Sequence, residues 1–303
     1  MNLDIFFNTT YRPLRLRGKS ANTTRLYGCL FRAFDRFLEH PATVADVGDE
    51  LTIARFLEHR SSKGLSPYSV ERERAGLLAL AKVAHQRGMI PTLPIVPQGL
   101  LPDSAPVAWS ISQLTDLVKA ASSTPGNVGS VLASEWWPCL LMVLFETGER
   151  ITAVLSTPAR NYVRPNLLVP AAARKGGKRD RVYLLTEQTC DRLDRIVVPE
   201  GLLLRWPMSQ TYLWGRMRKI VQAAGLDGGR GFRFHAIRRS TASHFAALGG
   251  DATAALDHSS PRLTRRWYLD PRIADHSVRP AQLLPRIDGG VTTKPAEQTG
   301  PTD

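Results

Sequence analysis

The stretch "FRFHAIRRSTASHFAALGGDATAALDHSSPRLTRRWYLDP", residues 232–271, decides the fold. Apolar residues at helical spacing predict two helices in it, over about 235–248 and 251–256, with a glycine turn between them. His235 and Arg238 stand three residues apart, so both side chains lie on one face of the first helix. A histidine is more often structural than catalytic in such a position, and this pair alone therefore decides little.

The last part of the stretch, residues 256–271, combines residue types that suit neither a core nor a plain solvated surface. It contains His258 and Tyr268. Around them are four arginines, Arg262, Arg265, Arg266 and Arg272. Tyr268 follows Trp267, and an aromatic pair of this kind is more often a core or rim feature than a site of chemistry. The question is whether Tyr268 packs or reacts.

Two further segments in the same half of the chain carry basic residues at predicted element ends. A buried helical pattern over about 130–155, bent or interrupted near Pro138, includes "FETGERITAVL" with Arg150. A short β-rich patch includes "RKGGKRDRVYLL", where Gly176 and Gly177 predict a two-residue hairpin turn with positive φ at both positions. Each segment alone is weak evidence, because a lone arginine after a helix is usually a surface charge.

The remaining pattern predicts a mainly α protein with a small antiparallel β-sheet. Residues 1–90 read as an all-helical N-terminal domain, with helical patterns over 22–39 and 51–59 and a helix opened by Ser66 and Pro67. Five prolines in the next segment favour an extended chain, which predicts a linker over 91–108. A second domain over 109–285 and a disordered tail over 286–303 complete the predicted organisation.

Composition points to a nucleic-acid partner. The 303 residues carry a formal net charge of +13, and 32 of the 40 basic residues are arginine, which grips phosphate with two donors. A genome that prefers arginine codons is the alternative explanation. Three dispersed cysteines, Cys29, Cys139 and Cys190, give neither a disulfide framework nor a zinc-ligand spacing. No run is long enough for a membrane span, so we expect a cytoplasmic protein.

The ordered set of segments resembles the tyrosine recombinases, the phage-integrase-like site-specific DNA recombinases. "FETGERITAVL" is similar to the first family box, which ends in T-G-x-R, and residues 232–271 are similar to the second, with H-x-x-R, L-G-H-S-S and a tyrosine. The resemblance covers roughly 109–275. It implies an all-helical core-binding, SAM-like DNA-binding domain before a catalytic domain. The site residues it implies are Arg150, Lys175, His235, Arg238, His258 and Tyr268.

The resemblance implies a role for each of these residues. Tyr268 attacks the scissile phosphate, the two arginines hold its oxygens, and Lys175 protonates the leaving 5′-hydroxyl, while His235 assists proton transfer and His258 hydrogen-bonds the phosphate. Lys178 flanks the same turn as Lys175 and is the alternative acid. No metal, nucleotide or other cofactor is implied.

Three departures from the family pattern stand in this sequence. Asp257 replaces the usual glycine before His258. Thr152 and Ala153 occupy positions where an acidic residue is frequent. Tyr268 lies ten residues after His258, whereas the commonest spacing is one shorter and falls on Trp267. An indole cannot attack phosphorus, so Tyr268 is the predicted nucleophile, with one extra residue in the preceding turn.

The implied function is a site-specific DNA recombinase or integrase, metal- and ATP-independent, that forms a covalent 3′-phosphotyrosyl intermediate. Two alternatives are a type IB topoisomerase-like enzyme that relaxes DNA and a catalytically silent DNA-binding relative. The expected partner is double-stranded DNA carrying specific recombination sites. We expect a homotetramer on DNA, a monomer or weak dimer when free, no membrane, and association with the nucleoid.

Overall fold

The computed structural model describes residues 1–103, 105–177, 179–227, 229 and 233–274. The chain divides into two compact units, Met1–Ser104 and Ala105–Asp303. Their boundary falls inside the segment predicted as a linker. The predicted tail, 286–303, and the end of the predicted catalytic domain lie outside the described residues. Within the described part, no helix is both long and apolar enough to cross a membrane.

The first unit is built from helices. They are α1 (Leu3–Phe6), which continues through a π-helical turn (Phe7–Tyr11) into α2 (Arg12–Arg15), then α3 (Ala21–Leu38), α4 (Glu50–Ser62) and α5 (Pro67–Gln86). The last three confirm the helical periodicity. Ser66 caps α5 as predicted, because its hydroxyl accepts from the amide of Ser69.

Aromatic packing and one ion pair hold the helices of the first unit together. Phe34 of α3 meets Phe56 of α4 at 4.9 Å between ring centres, and both are fully buried. Arg60 of α4 donates two hydrogen bonds, of 2.8 and 2.9 Å, to the carboxylate of Glu73 on α5. The basic residues of α3, Arg25, Arg32 and Arg36, are exposed.

The second unit is also mainly helical. Its helices are α6 (Ile111–Ser122), α7 (Ala133–Thr147), α8 (Ile151–Leu155), α9 (Glu187–Ile196), α10 (Gln210–Ala223), α11 (Phe234–Ala247), α12 (Ala252–Leu256), α13 (Pro261–Tyr268) and α14 (Pro271–Ala274). Its strands are β1 (Asn127–Val128), β2 (Val131–Leu132), β3 (Tyr162–Val163), β4 (Asn166–Val169) and β5 (Arg181–Leu184). Strands β1 and β2 form one antiparallel pair, and β3, β4 and β5 form a second antiparallel sheet in that order. The mainly α fold with a small antiparallel sheet is confirmed.

Helix α7 lies at the centre of the second unit and packs against α6, α9 and α11. Of the bend or interruption predicted near Pro138, the interruption is wrong, because α7 runs through this residue with buried apolar residues on both sides of it. The break comes instead at Gly148, which adopts a left-handed φ of 60° and ends the helix. Arg150 then occupies the N-cap position of the short helix α8, without a capping bond from its side chain.

The connection between β4 and β5 also differs from the sequence prediction. The two-residue hairpin turn is wrong: residues 170–180 join the strands and include a 3₁₀ turn over Ala171–Ala173. Gly176 has the expected positive φ, at 71°. Gly177 is instead needed for space, since a Cβ there would stand 2.7 Å from the carbonyl oxygen of Ala171.

Candidate active site

Arg238 on α11 is the centre of the cluster of predicted site residues. It is 2% exposed, and its guanidinium donates to the carbonyl oxygen of Gly148 and, at 2.8 Å, to that of Leu256. These bonds connect the end of α7 and the end of α12 to α11. Its Nε is buried and has no hydrogen-bond partner among the described residues. A buried unpaired donor of this kind is typical of a site that receives a ligand.

Tyr268 is the last residue of α13 and reaches this cluster. Its ring centre lies 4.3 Å from that of His258 and 6.3 Å from that of His235, and the residue is 9% exposed. Trp267 is 41% exposed, and its ring lies 5.2 Å from the guanidinium carbon of Arg266. The structure therefore brings Tyr268, and not Trp267, next to the predicted histidines.

The backbone around Tyr268 is held by buried polar groups. The Ser243 hydroxyl on α11 donates to the carbonyl oxygen of Tyr268 at 3.2 Å and accepts from the amide of Asp270 at 2.9 Å. The side chain of Asp270, 1% exposed, accepts from the amide of Ala108 at 2.8 Å and pairs with Arg272 at 2.6 Å. The segment that carries Tyr268 is thus bonded to both α11 and the start of its own unit.

His258 has a defined orientation between two partners. Its Nδ1 lies 2.9 Å from the Thr264 hydroxyl, and its Nε2 lies 3.3 Å from a terminal nitrogen of Arg238. Arg238 can only donate, so the pattern of bonds assigns the proton to Nδ1 and leaves Nε2 as the acceptor. The Thr264 hydroxyl in turn donates to the carbonyl oxygen of Ser260.

Both histidines are neutral at ordinary pH. Loss of solvent, followed by the positive charges of Arg238 and Arg150, lowers the pKa of His258 from 6.5 to about 4. The pKa of His235 is likewise lowered to about 4 by desolvation and by the charges of Arg238, Arg239 and Arg150. His235 nevertheless keeps a solvent-exposed surface. Burial, then the charge of Arg150, also lowers the pKa of Arg238.

Arg150 and Lys175 are placed differently from each other. Arg150, half-buried, is close enough for its charge to lower the pKa values of Arg238 and both histidines. Lys175 is exposed in the turn after the Ala171–Ala173 segment, and no bond or ion pair links it to any described residue. Lys178, the alternative acid, lies outside the described residues.

Sequence reasoning missed a buried charged network beside the predicted site. Glu149 accepts from Arg174 at 2.5 Å and from the hydroxyl of Tyr183 at 2.7 Å, and lies 4.0 Å from Arg238. Arg174 also pairs with Asp257 at 3.0 Å. One signal in the sequence could have indicated this network, because each of its three charged residues directly precedes a predicted site residue. Glu149 precedes Arg150, Arg174 precedes Lys175, and Asp257 precedes His258.

This arrangement suits an anionic ligand. Arg150 is close enough to Arg238 for its charge to act on it, and Nε of Arg238 is a donor without a partner among the described residues. The carboxylate of Glu149, 4.0 Å from Arg238, neutralises only part of this positive charge. Guanidinium groups bind phosphate with strong charge-assisted hydrogen bonds. A tyrosine hydroxyl is a nucleophile of the kind that forms covalent intermediates. The cluster therefore has the groups needed for attack on a phosphodiester.

Comparison with known families agrees with this chemistry. The model of the phage integrase family matches residues 112–274, more than half of the chain. The chain therefore belongs to the phage integrase family. Among curated protein sequences, none matches this chain.

Three solved structures show the same fold. A lambda integrase tetramer bound to a Holliday junction is 18% identical, with a TM-score of 0.68 over 90% of this chain and 78% of that chain. The Tn1549 transposon integrase in complex with circular intermediate DNA is 16% identical, with a TM-score of 0.66 over 88% of this chain and 95% of that chain. The XerH site-specific recombinase, in a post-cleavage complex on a palindromic difH substrate, is 18% identical, with a TM-score of 0.59 over 74% of this chain and 67% of that chain.

Proposed function

We propose that this protein is a site-specific DNA recombinase that cuts and rejoins DNA strands through a covalent 3′-phosphotyrosyl intermediate. The observation that carries the proposal is the position of Tyr268, whose ring lies 4.3 Å from His258 and 5.6 Å from the guanidinium of Arg238, in a chain of the phage integrase family. The structural neighbours, which are integrase and recombinase complexes with DNA, support it.

In the proposed reaction, the phenolic oxygen of Tyr268 attacks the scissile phosphorus. The bond between phosphorus and the 5′-oxygen breaks, its electron pair goes to that oxygen, and a bond between tyrosine and the 3′-phosphate forms. Arg150 and Arg238 hold the non-bridging oxygens, where negative charge increases in the transition state. The unpaired Nε of Arg238 gives it a donor for this purpose without loss of its two carbonyl contacts.

Proton transfer completes the step. Lys175 gives a proton to the leaving 5′-oxygen, and His235 assists transfer of the tyrosine proton. In the free protein Nε2 of His258 accepts from Arg238, so donation to the phosphate requires protonation of this nitrogen, either by a proton added to the ring or by a change of tautomer in which Nδ1 accepts from the Thr264 hydroxyl. The anionic phosphate favours that protonation, because a nearby opposite charge raises the pKa of a histidine.

The first unit fits a role in holding DNA. On α3, Arg25, Arg32 and Arg36 are exposed, while Leu30 and Phe34 on the other face are buried. Basic side chains on one face of a helix bind the phosphate backbone without regard to sequence. We assign residues 1–90 to DNA binding, 91–108 to the linker and 109–285 to catalysis, in a protein that acts as a homotetramer on its sites and associates with the nucleoid.

A nicked duplex that carries the target site tests the proposal. Cleavage next to the nick releases a short fragment that diffuses away, so the covalent protein–DNA adduct accumulates and migrates slowly on a denaturing gel. We expect the adduct on cognate DNA and none on a scrambled duplex. A topoisomerase-like enzyme would instead relax any supercoiled plasmid at monomer concentrations, and a silent relative would bind DNA in a salt-dependent way with no adduct on any substrate.

A further inference from the structure

Asp257 has a backbone conformation that calls for an explanation. Its φ of 55° and ψ of 44° at the C-cap of α12 lie in the left-handed region, where glycine fits without steric cost and most residues with a Cβ are disfavoured, aspartate being one of the few that are tolerated. The resemblance places a glycine here. The side chain that this protein carries instead has a partner, because the Asp257 carboxylate lies 3.0 Å from a terminal nitrogen of Arg174.

Arg174 is held on several sides. Its side chain is 3% exposed, and Nε donates to Glu149 at 2.5 Å. The nitrogen that pairs with Asp257 also donates to the carbonyl oxygen of Arg179 at 3.3 Å. An arginine with two carboxylates around its planar donor group keeps a fixed orientation, since guanidinium matches carboxylate geometry.

The turn that begins at Arg174 is fixed as a consequence. Its carbonyl oxygen accepts from the amide of Gly177 at 3.0 Å, and a Cβ on Gly177 would stand 2.8 Å from the Cβ of Arg174. The first residue inside this closed turn is Lys175. Its own side chain has no bond to a described residue, so its position depends on the backbone of the turn and therefore on Arg174.

The neighbouring strand adds a second connection to the same elements. Tyr183 on β5 donates to Glu149 at 2.7 Å, and Arg181 on β5 donates to the carbonyl oxygens of Ala254 and Ala255 on α12 at 2.7 and 3.0 Å. The lysine-bearing connection is thus bonded to the residue before Arg150 and to the helix that leads to His258.

We propose that Asp257 and Glu149 are positioning residues that act through Arg174 to hold the Lys175 turn where its ammonium group reaches the leaving 5′-oxygen. The inference rests on the proposed function and adds to it a role for the residue that departs from the family pattern. When the bond between phosphorus and the 5′-oxygen breaks, the electron pair goes to that oxygen, and the proton it takes comes from Lys175.

A sulfur substitution in the DNA isolates this proton transfer. In a substrate whose bridging 5′-oxygen is replaced by sulfur, the leaving thiolate needs no proton. A variant that lacks only the general acid therefore cleaves this substrate at the normal rate, whereas a variant with any other defect remains slow. Single-turnover cleavage of the oxygen and sulfur substrates is measured for the wild type, Lys175→Met, Asp257→Asn and Asp257→Gly. Asp116→Asn, on the exposed side of α6, is the control for the loss of one negative charge.

We expect Lys175→Met to slow cleavage of the oxygen substrate by about 100-fold or more, the usual contribution of an acid, and to cleave the sulfur substrate near the wild-type rate. Asp257→Asn and Asp257→Gly should show the same pattern with a smaller loss, roughly tenfold, because the lysine is present but less often in place. Asp257→Gly suits the left-handed backbone, so the fold is retained. Asp116→Asn should cleave both substrates like the wild type.

Three results would overturn the inference. Asp257 variants that cleave both substrates at the wild-type rate show that the pair with Arg174 has no effect, and equal losses on both substrates show a purely structural role. If Lys175→Met is slow on both substrates, Lys175 is not the acid and the inference fails with that assignment, while Tyr268 chemistry stands. If the wild type cleaves neither substrate, the proposed function itself fails.

Discussion

The guanidinium carbon of Arg238 lies 5.6 Å from the centre of the Tyr268 ring, and both residues are almost completely buried. A cation over an aromatic face is attractive, and the attraction grows when water is excluded. The same positive charge stabilises negative charge at the phenolic oxygen and at a phosphate brought next to it. Arg238 thus lies against the proposed nucleophile, where we expect it also to hold the phosphate that the tyrosine attacks.

The choice between adjacent aromatic residues gives the first prediction. Tyr268→Phe should abolish the covalent adduct on a nicked substrate, because no oxygen remains to attack phosphorus. Trp267→Phe should retain adduct formation within a few-fold of the wild type, since Trp267 is exposed and its ring packs by Arg266. Denaturing gels of both variants provide the measurement. An adduct in Tyr268→Phe equal to that of the wild type would show that another residue is the nucleophile.

Arg238→Lys gives the second prediction. Lysine keeps the positive charge opposite Glu149 but lacks the two terminal guanidinium nitrogens that donate to the carbonyl oxygens of Gly148 and Leu256. It therefore cannot present two donors in a fixed geometry. Loss of such transition-state contacts costs about 3 to 4 kcal/mol, or roughly 100- to 1000-fold in cleavage rate. Single-turnover cleavage and DNA affinity are measured together. An equal loss in affinity would place the effect in ground-state binding.

The low pKa of His258 gives the third prediction. The folded protein holds this ring neutral down to about pH 4, whereas the unfolded chain takes up the proton near pH 6.5. The unfolded state therefore binds more protons between these values, and the free energy of unfolding falls as the pH is lowered from 6.5 towards 4. His258→Asn should lose part of this dependence.

Urea unfolding of the wild type and His258→Asn at pH 7 and pH 4.5 measures the effect. The difference in the free energy of unfolding between the two proteins at pH 7 measures the loss of the contacts to Thr264 and Arg238. The further change in that difference at pH 4.5 measures the contribution of His258 protonation. A variant whose stability falls with acid as steeply as that of the wild type would contradict the third prediction.

Gly148 gives the fourth prediction. Its φ is 60°, and an added Cβ would stand 3.0 Å from Leu256 and 3.1 Å from Thr241. Gly148→Ala therefore combines a left-handed backbone cost of about 1 to 2 kcal/mol with an overpacking cost of about 1 to 3 kcal/mol. Gly225 has a φ of 69° with open space around it, so Gly225→Ala tests the backbone cost alone. Thermal unfolding should show a larger loss of stability for Gly148→Ala than for Gly225→Ala. Equal losses would show that the contact of the added Cβ with Leu256 and Thr241 costs nothing.

Local signals explain how much of the fold the sequence predicted. A cap such as Ser66 and the helical periodicity after it are properties of a few adjacent residues, and the structure shows the helix that they predict. Pro138 and the Gly176 turn were misread because their effect depends on tertiary packing. Within the connection between β4 and β5, Asp180 accepts from the amide of Ala171 at 2.8 Å, a contact that no local pattern indicates.

The site shows a similar division. The spacing of His235 and Arg238 is a helical property, and the structure places both beside Tyr268. The choice of Tyr268 over Trp267 depends on the rotation of α13: Thr264, four residues earlier, is on the same buried face and bonds His258. The position of Lys175 and the network of Glu149, Arg174 and Asp257 depend on contacts between distant segments, so spacing alone did not reveal them.

The contacts that hold the Tyr268 segment bear on which protomer of an assembly supplies the tyrosine at each cleavage site. Because Ser243 and the bond between Asp270 and Ala108 hold the segment that carries Tyr268 against its own chain, we expect each protomer to cut with its own tyrosine. A mixture of Tyr268→Phe and Arg238→Lys chains should then regain no more cleavage than Arg238→Lys alone, and recovery in the mixture would show that tyrosines are exchanged. An inactive copy can occupy a place beside active ones without being rescued by them, so a single Tyr268→Phe allele should act as a dominant inhibitor of recombination in a cell that also makes the intact protein.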